Sequence, residues 1–97
     1  MYDYTGWIVQ ATAGRDKEGI FCVVGVEQEP LRLLLADGKR RKVASPKRKK
    51  CGHVSPLGAS GHPAVQKLKS GQPVSDRELR RALGAFWDEL GRDQGGN

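Results

Sequence analysis

A mainly β fold, a small barrel of about five strands carrying a C-terminal helical extension, is predicted by three observations. Apolar and β-branched runs recur at close spacing between Trp7 and Ser55, separated by short turns that bear glycine, proline or Asp-Gly. The chain has 97 residues, only 37% of them apolar, with thirteen glycines, so it can build one small core with many turns. Beyond Pro56 the texture changes to a glycine- and proline-rich stretch followed by helical periodicity.

The elements follow in order. Met1 to Thr5, with Tyr2 and Tyr4, is a lead-in without periodicity. Trp7, Ile8 and Val9 in GWIVQA suit a pleated surface and make strand one. The polar stretch between Ala13 and Gly19 is a turn, since Gly14 and Gly19 can take positive φ cheaply. The run Ile20 to Val26 has the length and β-branched content of a buried strand, and Gly25 inside it marks a bulge or bend. Glu27 to Pro30 connects it to LRLLLA, strand three, and Asp37-Gly38 forms a tight hairpin turn into strand four, Lys39 to Val43. Four consecutive cations in a strand put charge on both faces, so strand four lies at an edge. Ser45-Pro46 interrupts the sheet and holds the next basic residues outside the ladders, and His53-Val54-Ser55 supplies the closing strand.

Residues 1–56 are thus a β-barrel domain and 57–62 a linker. Residues 63–91 are a helical extension and 92–97 a disordered tail. Pro63 opens a short helix through Ser70, with Val65 and Leu68 on one face and Gly71 as its stop. Ser75 and Glu78 form a capping box, and Val74 can staple onto Leu79. Leu79, Leu83, Phe86 and Leu90 recur as one apolar stripe, with Ala82 and Trp87 beside it, until Gly91 ends the helix. The stripe has two readings. It folds back onto the barrel, the preferred reading because a core of this size is marginal, or it presents Phe86 and Trp87 to a protein partner as a helix-in-groove anchor.

The net charge of +6 is unevenly placed. Lys39, Arg40, Arg41, Lys42, Lys47, Arg48, Lys49 and Lys50 fall within twelve residues with no acid among them. Taking those eight from the seventeen basic residues leaves nine against eleven acids, so the rest of the chain is close to neutral. Such a patch draws polyanions, either nucleic acid or an anionic membrane surface. The bland alternative is a solvated charge run that guards an edge strand against wrong pairing.

The stretch GWIVQATAGRDKEGIFCVVGV resembles the KOW motif, a strand–turn–strand signature of ribosomal proteins and transcription elongation factors. The continuation ADGKRRKVASPKRKKCGHV resembles the bacterial KOW-containing RNA-binding proteins related to ribosomal large-subunit protein fourteen of the archaeal and eukaryotic type. The resemblance covers Gly6 to Val54 and implies an SH3-like barrel whose first turn and neighbouring basic residues contact RNA. Carried across, the contact residues are Gly14, Arg15, Asp16 and Lys17 of the turn, with Lys39, Arg40, Arg41, Lys42, Lys47, Arg48, Lys49 and Lys50; His53, beside the second basic block, adds a phosphate hydrogen bond or stacks. Glu18 stands directly after the turn's lysine, where the resemblance leads one to expect glycine.

The expected function is therefore non-catalytic RNA binding, to structured RNA that the resemblance marks as ribosomal, through phosphates, in or near translation. The alternative is a protein-interaction adaptor of the translation or transcription machinery, using the barrel face or Leu79, Leu83, Phe86, Trp87 and Leu90. Trp7, Tyr2 and Tyr4 are candidate stacking surfaces for unpaired bases, while Phe21 is assigned to the core. Cys51, His53 and His62 lack the two spaced ligand pairs of a structural zinc site, so no metal is expected. No nucleophile has an evident base partner and no GxxxxGK loop occurs, so neither catalysis nor a cofactor is expected. With two cysteines, no secretory apolar segment and no long apolar run, a cytoplasmic location is expected, with no membrane partner.

Overall fold

A computed structural model describes residues 4–14 and 19–95, with side chains as far as Leu90. Five strands, β1 (Trp7–Ala11), β2 (Ile20–Glu27), β3 (Arg32–Ala36), β4 (Lys47–Lys49) and β5 (Val54–Ala59), precede two helices, α1 (Pro63–Lys69) and α2 (Asp76–Gly95). The strands form one antiparallel sheet in the order β4-β3-β2-β1-β5. Each strand pairs with its predecessor except β5, which returns to β1. The sheet is mainly what the sequence predicts, a small barrel-like meander, although β4 and β5 remain edges and do not pair.

Two cores explain why β2 reads as an unbroken apolar run: both faces of the sheet are covered. Ile8, Cys22 and Ala36 lie on one face with Ala64 and Val65 of α1 and Leu79 and Ala82 of α2 against them. Val9, Phe21, Val23, Leu33 and Leu35 point to the other face, where Tyr4, Cys51 and Val54 pack over them. Cross-strand register keeps the sets apart, pairing Ile8 with Cys22 and Cys22 with Ala36 on the first face, Val9 with Phe21 and Val23 with Leu35 on the second. Where Val23 pairs with Leu35 and Gly25 with Leu34, β2 carries one extra residue, the bulge expected at Gly25. A side chain there would press on the Leu34 methyl at 3.2 Å.

Four elements depart from the sequence reading. Lys39 to Val43 is not a strand. Asp37 Oδ1 accepts from the backbone N–H groups of Lys39 (2.8 Å) and Arg41 (2.9 Å), and Asp76 Oδ1 accepts from that of Val43 (2.8 Å). Carboxylates thus take the donors that a ladder would need, and the β3–β4 connection becomes a loop over residues 37–46 rather than a tight hairpin. The fourth strand is instead Lys47–Lys49, the residues expected outside the ladders: Pro46 precedes the strand, and its missing N–H costs no pairing.

The final strand runs from Val54 to Ala59, so the first half of the expected linker is sheet, and His53 belongs to a short 3-10 turn, Cys51–His53. Pro56 is tolerated because β5 is an edge strand with a partner on one side only. Finally, α2 continues through Gly91 to Gly95, into the stretch expected to be disordered. Glycine terminates a helix through a left-handed dihedral, and Gly91 stays within the helix.

The helix signals themselves are realised. His62 caps α1 by accepting from the Ala64 N–H at Nδ1 (3.1 Å). At its other end Gly71, at φ +75°, and Gln72 donate to the Leu68 and Lys67 carbonyls, a Schellman ending. At α2 the Glu78 N–H donates to Ser75 Oγ (3.1 Å) while Glu78 Oε1 faces the Ser75 N–H (3.4 Å), the predicted capping box. Lys67 Nζ donates to Glu78 Oε2 (2.8 Å) and ties the two helices together.

Candidate nucleic-acid interface

Antiparallel order brings most of the basic residues to one end of the sheet. β1 ends, β2 begins, β3 ends and β4 begins there, so the β1–β2 turn and the loop over 37–46 emerge side by side. Two hydrogen bonds tie the Lys49 side chain and the segment that follows β4 to the β1–β2 turn. Lys49 Nζ donates to the Ala13 carbonyl (2.7 Å), and the Thr12 N–H donates to the His53 carbonyl (2.9 Å). Gly14, at φ +85°, lies where a Cβ would stand 2.9 Å from Lys49 Nζ, so the turn and the second basic block touch. Arg15, Asp16, Lys17 and Glu18 lie outside the described residues.

The eight cations of the charge run are not equivalent. Lys49 is 7% exposed, with its stem beside Ala11, Phe21 and Leu35 and its ammonium on Ala13, so it is a structural residue rather than a contact. Its neighbour Arg48 points to the other face of β4 and pairs with Glu27 (Nε to Oε1 2.7 Å). That hydrogen bond, with the guanidinium charge, holds the Glu27 carboxyl below its ordinary range. Lys47 and Arg41 are half-buried. Among the described residues of the predicted site, Lys39, Arg40, Lys42, Lys50 and His53 are exposed side chains open to a polyanion, and Arg48 is exposed but paired with Glu27.

Sequence reasoning confined the charge to residues 39–50 and missed its continuation. The loop is seated on the first turns of α2: Arg80 Nη1 donates to the Gly38 carbonyl (2.6 Å), and Gly38, at φ +76°, packs so closely on the Asp76 carbonyl that a Cβ would collide with it. Arg77, Arg80 and Arg81 are exposed beside that seat. The available signal was their spacing of three and four residues, which places them on one helix face.

The apolar stripe of α2 serves the chain's own core. Leu79 and Ala82 are fully buried, and Leu83 and Phe86 pack against the same cluster, Phe86 lying over Gly58 of β5. Leu90 is half-buried; Trp87 is 56% exposed and is what the stripe leaves for a partner. Phe21 is buried in the core as expected; of the candidate stacking aromatics, Tyr2 lies outside the described residues, and Tyr4 and Trp7 line an apolar groove with Leu33, Cys51, Val54 and Pro56. His62 is occupied as a cap, and the described residues hold no group of three or more His, Cys, Asp or Glu suited to a metal. Burial pushes the Cys22 thiol up to about 12, which leaves it protonated and unreactive in the core. No helix among the described residues is long and apolar enough to cross a membrane.

Fold and site together define a small β-rich domain with a cationic end. The chain matches no protein-family model and no curated protein.

Proposed function

We propose that the chain is a non-catalytic RNA-binding protein that holds structured RNA, ribosomal RNA by the KOW-type resemblance, through phosphate contacts in or near cytoplasmic translation. The observation that carries this reading is that the Gly14 turn and the Lys39–Lys42 loop emerge at one end of the sheet, with the segment after β4 tied to that turn through Lys49 and His53, and that Lys39, Arg40, Lys42, Lys50 and His53 are exposed. A solvated charge run guarding an edge strand would need its cations on that edge. Here the edge strand carries Lys47, Arg48 and Lys49, of which Lys49 is buried and Arg48 is paired with Glu27, while Lys39, Arg40, Lys42 and Lys50 are exposed beyond it. Lysine and arginine neutralise phosphates with release of condensed counterions, and shape, backbone and 2′-hydroxyl contacts suffice for folded RNA.

The test is a salt titration of binding to an RNA hairpin with a duplex stem. In the wild type, log K falls steeply with log salt. Replacing Lys39, Arg40, Lys42 and Lys50 together by glutamine makes the slope shallower by about 0.7 to 0.9 for each phosphate that no longer meets a cation. Unchanged slope and affinity in that variant overturns the reading.

A further inference from the structure

We propose that helix α2 supplies the second half of the RNA contact surface, with Arg77 and Arg81, and Arg80 beside them, taking phosphates of the same RNA that the Lys39–Lys42 loop contacts. The inference rests on the RNA-binding reading above and extends it to an element outside the region of KOW resemblance.

Rigidity is the first argument. Three contacts lock the loop to the helix: the Val43 N–H on Asp76 Oδ1 (2.8 Å), the Arg80 guanidinium on the Gly38 carbonyl (2.6 Å), and the close seat of Gly38 on the Asp76 backbone. Cations on the loop and on the helix are therefore held in one arrangement, and an RNA that meets one meets the other without a further ordering cost.

Placement is the second. At 100° per residue, Arg77, Arg80 and Arg81 fall within roughly a 100° arc of the helix, opposite the buried Leu79 and Ala82. Arg77 and Arg81 stand one helical turn apart on the outer face, and neither makes a hydrogen bond or ion pair among the described residues, whereas Arg80 leans onto the loop.

Charge is the third. Lys39, Arg40, Arg41, Lys42, Arg77, Arg80 and Arg81 set seven positive charges around this corner. The acids among them are Asp37 and Asp76, both engaged by backbone N–H groups of the loop, while Glu78 is neutralised by Lys67. Acids that serve as loop staples leave the outer surface to the arginines. A helix whose outer face only needed solubility would not require arginines on the two turns that carry the loop.

The experiment compares the full-length wild type with Arg77→Gln/Arg81→Gln in salt titrations against the RNA hairpin. A control, Arg32→Gln/Lys69→Gln, removes the same net charge away from the corner where the loop meets α2, at the start of β3 and where Lys69 packs on Gly6. Glutamine matches arginine closely in helix propensity, and circular dichroism checks that each variant is folded. Removing two phosphate partners makes the slope shallower by about 1.4 to 1.8 and weakens binding about 15- to 30-fold near 0.15 M salt. Arg81→Gln alone gives about half the slope change, Arg77→Lys/Arg81→Lys retains the wild-type slope, and the control changes it by less than about 0.7. If Arg77→Gln/Arg81→Gln behaves like the control while the wild type binds with a steep slope, the helix is no part of the surface and the RNA reading stands without it. If the wild type shows no salt-dependent binding at all, the RNA reading falls and takes this inference with it.

Discussion

Lys49 and Lys50 are adjacent cations in one basic block, and the structure assigns them opposite kinds of consequence when they are replaced. The Lys49 ammonium donates to the Ala13 carbonyl at 2.7 Å from a residue that is 7% exposed, and its stem fills space beside Ala11, Phe21 and Leu35. Lys49→Met keeps the stem and removes only the charge. The charge-assisted hydrogen bond that disappears is worth about 1.5–3 kcal/mol, offset by the relief of an ammonium that no longer has to be dehydrated, for a net loss of about 1 kcal/mol. Lys49→Ala removes three further methylenes at about 0.8 kcal/mol each, so its total is about 3 kcal/mol. For a chain of this size each kcal/mol lowers Tm by about 4–8 °C. Thermal melts of the two variants therefore fall below wild type by unequal steps, the alanine step about three times the methionine one. In the RNA titration, Lys49→Met leaves the salt slope within about 0.7 of wild type. Lys50→Gln does the reverse, leaving Tm unchanged and making the slope shallower by about 0.7 to 0.9. A Lys49→Met protein that melts like wild type and loses as much slope as Lys50→Gln would refute the assignment of Lys49 to the fold.

Two further outcomes follow from the helices. Lys67 and the Ser75 backbone hold the Glu78 carboxyl below its ordinary range, so the ionised form stabilises the folded state; the contribution is fully present above the unfolded carboxylate value and is lost as pH falls through the folded one, and urea midpoints of wild type converge on those of Glu78→Gln as the solution is acidified below about pH 4. Phe86→Ala, which strips a ring from the core and from Gly58, destabilises by about 2–4 kcal/mol in urea unfolding, whereas Trp87→Ala, at a position 56% exposed, shifts the midpoint by less than about 0.5 kcal/mol.

Signals that act over a few residues were legible in the sequence. The bulge at Gly25, the capping box of Ser75 and Glu78, the proline and glycine that bound α1, and the apolar, β-branched runs of β1 to β3 are decided by backbone dihedrals and side-chain reach within a turn or two, and each is found where the residues place it. That the β1–β2 turn and the basic blocks act together is an expectation of the KOW resemblance and not of composition, and Arg15, Asp16 and Lys17 of that turn lie outside the described residues. Strand four was misplaced because the deciding partner is remote. Val43 gives its N–H to Asp76, thirty-three residues away, and no local pattern announces that bond. Likewise Lys47–Lys49 becomes a strand because β3 offers an edge and because the stem of Lys49 can be buried once its ammonium finds Ala13.

By itself, then, the sequence determines that this chain is a small β-rich unit with a cationic segment and a capped, amphipathic C-terminal helix. Only the tertiary structure decides which cations are spent on the fold, Lys49 on a carbonyl and Arg48 on Glu27, and which remain for a polyanion. It alone seats the Lys39–Lys42 loop on Asp76 and Arg80 of α2. The physical reason is that charge is a property of each residue, whereas exposure and pairing depend on what the rest of the chain brings within a few ångströms.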